Sequence, residues 1–202
     1  MSPSLSRTLN GLGLLAVGAV LLIAFAAQLL EGELPCPLCL LQRSAFAAVM
    51  VGLALNVRFG PRPAHYGIVI LSALVGAAIS GRQTLLHIVP GTGTFGDAIL
   101  GLHFYTWALV LFMAIVLGSA AMLLFERQFA PIPAGAKVGI LGVLALVLTF
   151  VLSFGNGVST VLECAGGLCP DDPTGYILLQ GAGPSDAAPA PAATTTPAPG
   201  GG

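Results

Sequence analysis

An all-α bundle embedded in a membrane is the fold class this chain predicts, and three observations lead there. Of 202 residues, 56% are hydrophobic and only 7% are charged, where an ordinary soluble domain has about a quarter charged. The apolar residues gather in five runs. Each is near the roughly 20 residues that a helix rising 1.5 Å per residue needs to cross a hydrocarbon core about 30 Å thick. The charges lie between the runs, and basic residues recur in alternate connections.

The runs are 12–30, 40–57, 64–81, 102–125 and 138–154. The first contains Ala24-Phe25-Ala26, which has the look of a signal cleavage site. It continues to Leu30 with a second span close behind, so it is read as a retained span. The second carries Arg43 near its start. Arg58-Phe59-Gly60-Pro61-Arg62-Pro63 then forms a turn whose prolines end one helix and begin the next. The third run continues into Arg82 and Gln83, so its outer end is polar. A Gly- and Thr-containing loop from Pro90 to about Gly101 precedes the fourth run, and Ala130-Pro131-Ile132-Pro133 breaks the connection to the fifth. Beyond Asn156 the chain turns polar, and Cys164 and Cys169 are expected on a flexible, water-exposed segment. The tail over 181–202 is Ala, Pro, Thr and Gly with one charge. It cannot bury enough surface to offset its ordering entropy, so disorder is expected. The chain thus divides into a membrane-embedded domain over 1–180, whose outer cysteine segment is 155–180, and that tail. Short connections make neighbouring helices antiparallel.

Sidedness follows from charge. With the N-terminus cytoplasmic, Arg7, Arg58, Arg62, Arg127 and Lys137 fall inside. Glu31, Glu33, Asp97, Glu163, Asp171, Asp172 and Asp186 fall outside, as the positive-inside rule requires. The C-terminus is then outside. A net charge of −1 without a basic patch argues against nucleic acid as a partner. All four cysteines (Cys36, Cys39, Cys164 and Cys169) lie on the outer side, where disulfides form and persist.

Pro35-Cys36-Pro37-Leu38-Cys39 is the stretch with the clearest chemistry. A C-x-x-C pair closes a small disulfide whose sulfurs exchange readily. Between two spans it sits at the interface, within reach of water-borne thiols and lipid-borne oxidants. Cys39 opens the second helix, and Arg43 follows four residues on over the same face. The helix dipole and the guanidinium both favour the thiolate. An arginine at a membrane face otherwise serves as a snorkelling anchor. Cys164 and Cys169 enclose four residues, two of them glycine. A staple there would secure only a short segment, so exchange with a partner is the preferred reading over a structural bridge. A tetrathiolate zinc site built from both pairs suits an oxidising compartment poorly, and no metal is expected. Leu40 after Cys39 rules out c-type haem attachment. His87, with Arg82 and Arg43 at the same membrane level, is a candidate for hydrogen bonding a polar head group. His103, Tyr105 and Trp107 read as an aromatic belt.

Cys36-Pro-Leu-Cys39-Leu-Leu-Gln-Arg43 resembles the signature of the disulfide bond formation protein B (DsbB) family. Gly81-Arg82 with His87 and Pro90 resembles that family's exit from the third span, and Leu100-Gly101-Leu102 before Trp107 its entry to the fourth. The resemblance covers roughly residues 12–125. It implies a four-helix core that carries electrons from a periplasmic DsbA-like thioredoxin-fold oxidase to a membrane quinone, ubiquinone or menaquinone, in the bacterial inner membrane. By motif position it implies Cys39 as the quinone-proximal sulfur, Cys36 as its partner, and Arg43 and His87 beside the quinone. The family's second cysteine pair belongs between the third and fourth spans, where residues 90–101 have none. A fifth span leads instead to Cys164 and Cys169 on the same side.

The resulting expectation is a thiol:quinone oxidoreductase. Its catalytic cysteines are Cys36, Cys39, Cys164 and Cys169, and its quinone contacts are Arg43, His87 and Arg82. A partner of the DsbA type is strongly oxidising, at about −120 mV, so the acceptor must have high potential. The alternatives are a reductase-direction relay resembling vitamin K epoxide reductase, and a membrane scaffold with two structural disulfides.

Overall fold

The computed structural model describes residues 1–89, 98–131, 138–171 and 173–180. The expectations for the loop at 90–97, for Ile132 and Pro133, for Lys137 and Asp172, and for the tail at 181–202 lie outside these residues. Among the described residues, five helices are long and apolar enough to cross a membrane. They are α1 (Pro3–Ala26), α2 (Pro37–Phe59), α3 (Pro63–Leu86), α4 (Phe104–Leu123) and α5 (Ile140–Cys164). A short α6 (Ile177–Gln180) follows.

Local chemistry accounts for the helix starts. Ser2 caps α1 by accepting a hydrogen bond from the Leu5 amide at 3.3 Å, and Pro3 takes the first helical position, where its missing N–H has no partner to lose. Pro37 does the same for α2 behind Cys36, as Pro63 does for α3 behind Arg62. The C-terminal end of α1 relaxes into a π-turn, Ala27–Glu31, stopped by Gly32 at φ 74°. This change of register turns Gln28 inward while Leu29 and Leu30 face outward.

α2 packs on α3 and α3 on α4, and α1 and α5 lie along α2. Leu14, Val17 and Leu21 of α1 meet Phe46, Val49, Met50 and Leu53 of α2 in a core that Val69, Ala73, Phe112, Ala145 and Leu152 complete. Gly76 allows α3 and α4 to approach closely: a side chain there would run into the Phe112 ring, which stacks on Phe46 at 3.9 Å between centroids. Apolar side chains such as Leu71, Val75, Leu117, Phe150 and Phe154 stay exposed on the outer faces, as lipid contact requires.

The end of the bundle remote from the cysteines is tied by buried hydrogen bonds. The Ser6 hydroxyl donates to Gln128 Oε1 at 2.7 Å, Asn10 Nδ2 donates to the Tyr66 hydroxyl at 2.7 Å, and Asn56 Nδ2 donates to Asn10 Oδ1 at 2.9 Å. These bonds join α1, α2, α3 and the turn after α4. In an apolar surrounding, such polar groups must be satisfied internally.

The fifth helix departs from expectation. It runs to Cys164 rather than ending near 154, so Cys164 is the last residue of a helix and not part of a loose segment. Ala145, Thr149, Leu152, Asn156, Ser159 and Glu163, spaced four and three apart, are all buried on one face. Polar residues on that face find partners on α1 and α2, so the helix continues where hydropathy alone marks its end.

Candidate functional site

Cys36 is the N-cap of α2, and its sulfur accepts a hydrogen bond from the Cys39 amide at 3.2 Å. The two cysteines form a disulfide across the first turn of the helix. Arg43 follows one turn later, and Cys36, Cys39 and Arg43 all border one cavity of about 620 Å³. The cavity is a cleft between α1 and α4, with α2 as its back wall. Ala24 and Leu21 line it from α1, Gln42 and Phe46 from α2, Tyr105 and Leu111 from α4. Its walls are mostly apolar.

Arg43 is buried and held on several sides. Its Nη1 donates to Gln28 Oε1 at 2.6 Å, and the Phe25 ring covers the guanidinium at 4.1 Å. Gln28 in turn donates to the Ser159 hydroxyl at 2.7 Å and to the Tyr176 hydroxyl at 2.9 Å. The π-turn at the end of α1 therefore links Arg43 to α5 and to the segment beyond it. π-turns within helices recur at functional sites, because they re-aim a side chain at little cost elsewhere.

Gln83, which is fully buried, serves the sulfurs directly. Its Nε2 donates to Cys36 Sγ at 3.3 Å and lies 3.6 Å from Cys39 Sγ, while Gln42 Nε2 donates to its Oε1 at 2.6 Å. Arg82, the expected contact, is exposed and does not border the cavity. Consecutive helical positions point about 100° apart, and on α3 it is Gln83 that faces inward while Arg82 faces out. His87 accompanies the site at one remove. Its Nδ1 is 2.8 Å from the Gln83 carbonyl oxygen, and its ring lies 5.3 Å from that of Tyr105, which borders the cavity.

The turn before α4 shapes the mouth. Ile99 and Leu102 exchange backbone hydrogen bonds at 2.9 and 3.1 Å across Leu100 and Gly101, both at positive φ. Trp107 Nε1 donates to the Ile99 carbonyl at 2.9 Å, and Ile99 borders the cavity. Trp107 thus does more than anchor an interface.

Cys164 and Cys169 form the second disulfide, at the same end of the bundle as the first. Cys164 is buried and Cys169 half-buried, while Leu168 between them is 97% exposed. The segment is therefore less open to water than expected, because α5 carries Cys164 into the bundle. After Cys169 the chain returns toward the cleft, and Pro173 borders the same cavity as Cys36 and Cys39.

Gln28, Gln83, Glu163 and Tyr176 are not among the site residues expected from the sequence. A glutamine or glutamate among apolar residues was the available signal, since such residues within a span face protein rather than lipid.

A family model described as Disulfide bond formation protein DsbB matches residues 6–98. Among curated relatives, a "Disulfide bond formation protein B" of Xanthomonas axonopodis pv. citri is 42% identical over 84 residues, covering 39% of this chain and 49% of the relative. One of Nitrosomonas eutropha is 36% identical over 80 residues, covering 38% and 49%. One of Marinobacter nauticus is 31% identical over 163 residues, covering 62% of this chain and 95% of the relative. The chain spans about half the length of the first two and nearly all of the third. No solved structure matches it with significance.

Proposed function

Because this chain belongs to the disulfide bond formation protein B family, we propose that it is a membrane thiol:quinone oxidoreductase that reoxidises a periplasmic DsbA-like thioredoxin-fold dithiol oxidase. The observation that carries this reading is the shared cavity: a C-x-x-C disulfide and a buried arginine border one apolar cleft between two membrane helices. The residues suit a quinone. The apolar walls of α1 and α4 match a lipid-soluble ring and tail, and Arg43 Nε and Nη2 are buried donors without protein partners, suited to a carbonyl oxygen. A bound quinone supplies a two-electron, two-proton acceptor that leaves as quinol.

The protein's own part is thiol exchange and orientation. A thiolate of the reduced partner attacks the Cys164–Cys169 disulfide. Cys169 is the more exposed residue of the pair, so the mixed disulfide forms there and Cys164 leaves as a thiolate. The partner's second thiol then closes the partner's own disulfide, which leaves Cys164 and Cys169 as a dithiol. That dithiol exchanges with Cys36–Cys39, and Cys39, the sulfur nearer Arg43 along the helix, delivers the electron pair to the cleft. In each turnover one dithiol becomes one disulfide, releasing two electrons and two protons. Cys39, as third residue of α2, sees the positive end of the helix dipole, which stabilises its thiolate. Gln83 adds a donor to both sulfurs. This assignment also places the chain in the inner membrane, with the cysteine end periplasmic.

The test uses the purified full-length chain with a short-chain quinone and a reduced thioredoxin-fold oxidase. Quinone absorbance should fall in step with oxidation of the oxidase, one for one. Loss of partner thiols without quinol formation, or no reaction at all, overturns the reading.

A further inference from the structure

Glu163 is a buried charged residue for which the thiol relay has no use. It sits at the last turn of α5, is 0% exposed, and neither carboxylate oxygen has a hydrogen-bond partner. A carboxylate in such surroundings is costly, and where one persists it faces an opposite charge or a functional cavity. The buried opposite charge among the described residues is Arg43, which makes no hydrogen bond to the carboxylate.

The register of α5 puts Glu163 on this side. Ser159, one turn earlier, accepts from Gln28, the residue that accepts from Arg43 Nη1. Asn156, a further turn back, donates to the Ser44 hydroxyl at 3.1 Å, next to Arg43 in sequence. Two successive turns of α5 thus reach the turn of α2 that holds Arg43, Asn156 directly and Ser159 through Gln28, and Glu163 follows one turn on along the same buried face. Arg43 borders the cleft, whereas Glu163, Gln28 and Ser159 do not. Glu163 therefore lies on the α5 side of this network, outside the lining of the cavity. The family match over 6–98 does not reach this helix.

We propose that Glu163 is a positioning residue for Arg43: the fifth helix supplies the counter-charge that keeps the guanidinium fixed, with its remaining donors available to an acceptor oxygen in the cleft. The proposal rests on the reading of the cleft as the quinone site. An arginine balanced from the α5 side retains its charge in an apolar setting and does not drift toward the head-group layer, as a snorkelling arginine does. In this arrangement α5 is part of the acceptor site as well as the carrier of the second cysteine pair.

The experiment compares quinone kinetics of the full chain with those of E163Q, E163D, R43A and the E163Q/R43A double variant, with reduced partner held in excess. E163Q keeps the shape and removes the charge. It should raise the KM for a short-chain quinone about tenfold, leave the KM for the protein partner unchanged, and be partly rescued by E163D. The double variant should be no worse than R43A alone, because the two residues act as a unit. E163Q with wild-type quinone KM, while R43A is impaired, overturns this inference and leaves the quinone reading intact. R43A with wild-type quinone KM reduces Arg43 to an interface anchor and overturns the reading of the cleft as the quinone site. Should E163Q fold poorly, equilibrium titration of E163D with a quinone analogue makes the decision: weaker binding supports the proposal, and wild-type binding overturns it.

Discussion

Arg43 and Gln83 divide the work at the first disulfide. Arg43 offers charge to the cleft, and Gln83 offers neutral N–H donors to the sulfurs. Hydrogen bonds to charged groups contribute about 1.5–3 kcal/mol, so Arg43→Ala should raise the KM for quinone by about tenfold or more in steady-state assays. Arg43→Lys should recover only part of this, since it keeps the charge and loses the planar fork. An Arg43→Ala variant with unchanged quinone kinetics would reduce that residue to an interface anchor. Gln83→Leu keeps the volume and removes the donor. The Cys39 thiolate of the reduced protein then loses a partner, and its alkylation at neutral pH should slow by about fivefold, a hydrogen bond being worth roughly 1 kcal/mol. Equal alkylation rates in the two proteins would show that Gln83 serves only to pack α3 against α2.

At the scale of elements, α5 and its cysteines carry the main difference from a four-helix arrangement. Cys169 is more accessible than Cys164, and the proposed relay therefore has the partner attack at Cys169, an order the sequence left open. In Cys164→Ser, Cys169 has no sulfur beside it to displace a partner, so a mixed disulfide should accumulate on non-reducing gels. Cys169→Ser should trap much less, because Cys164 is buried. Equal trapping, or none from either variant, would point to a structural bridge that holds the end of α5. The α3–α4 contact makes a separate prediction about stability. Gly76 faces the Phe112 ring with no room to spare, and overpacking costs about 1–3 kcal/mol. Gly76→Val should therefore lower the thermal midpoint in detergent while leaving the disulfides intact.

For the whole molecule, the relay predicts where electrons stop. With Cys39→Ser, the second pair has no exit and should be found reduced in cells by thiol trapping. A fully oxidised Cys164–Cys169 pair in that variant would favour direct attack of the partner on Cys36–Cys39. Orientation is tested by reporters: one fused after Gly202 should be active in the periplasm, and one inserted at Gly60 in the cytoplasm. The structure agrees with a common compartment for the four cysteines, since both pairs lie at one end of the bundle and Pro173 borders the same cleft as Cys36.

Five spans, the alternation of charge and the Cys36–Cys39–Arg43 spacing were all legible in the sequence. Each depends on local properties: the apolar length a bilayer demands, the sign of short loops, and the four-residue repeat of a helix face. What lay beyond that reading is non-local. Residues 155–164 are polar enough to resemble an extramembrane segment, yet they are helical because Asn156 and Ser159 meet Ser44 and Gln28 from other helices. Arg82 stands in the sequence as the stronger candidate than Gln83, but the angle at which α3 meets α2 turns the glutamine toward the sulfurs and leaves the arginine outside. Gln28 is aimed by a π-turn that hydropathy does not register. Hydropathy weighs each residue against lipid, whereas the site is made by polar side chains weighed against one another, and only helix packing brings those partners together.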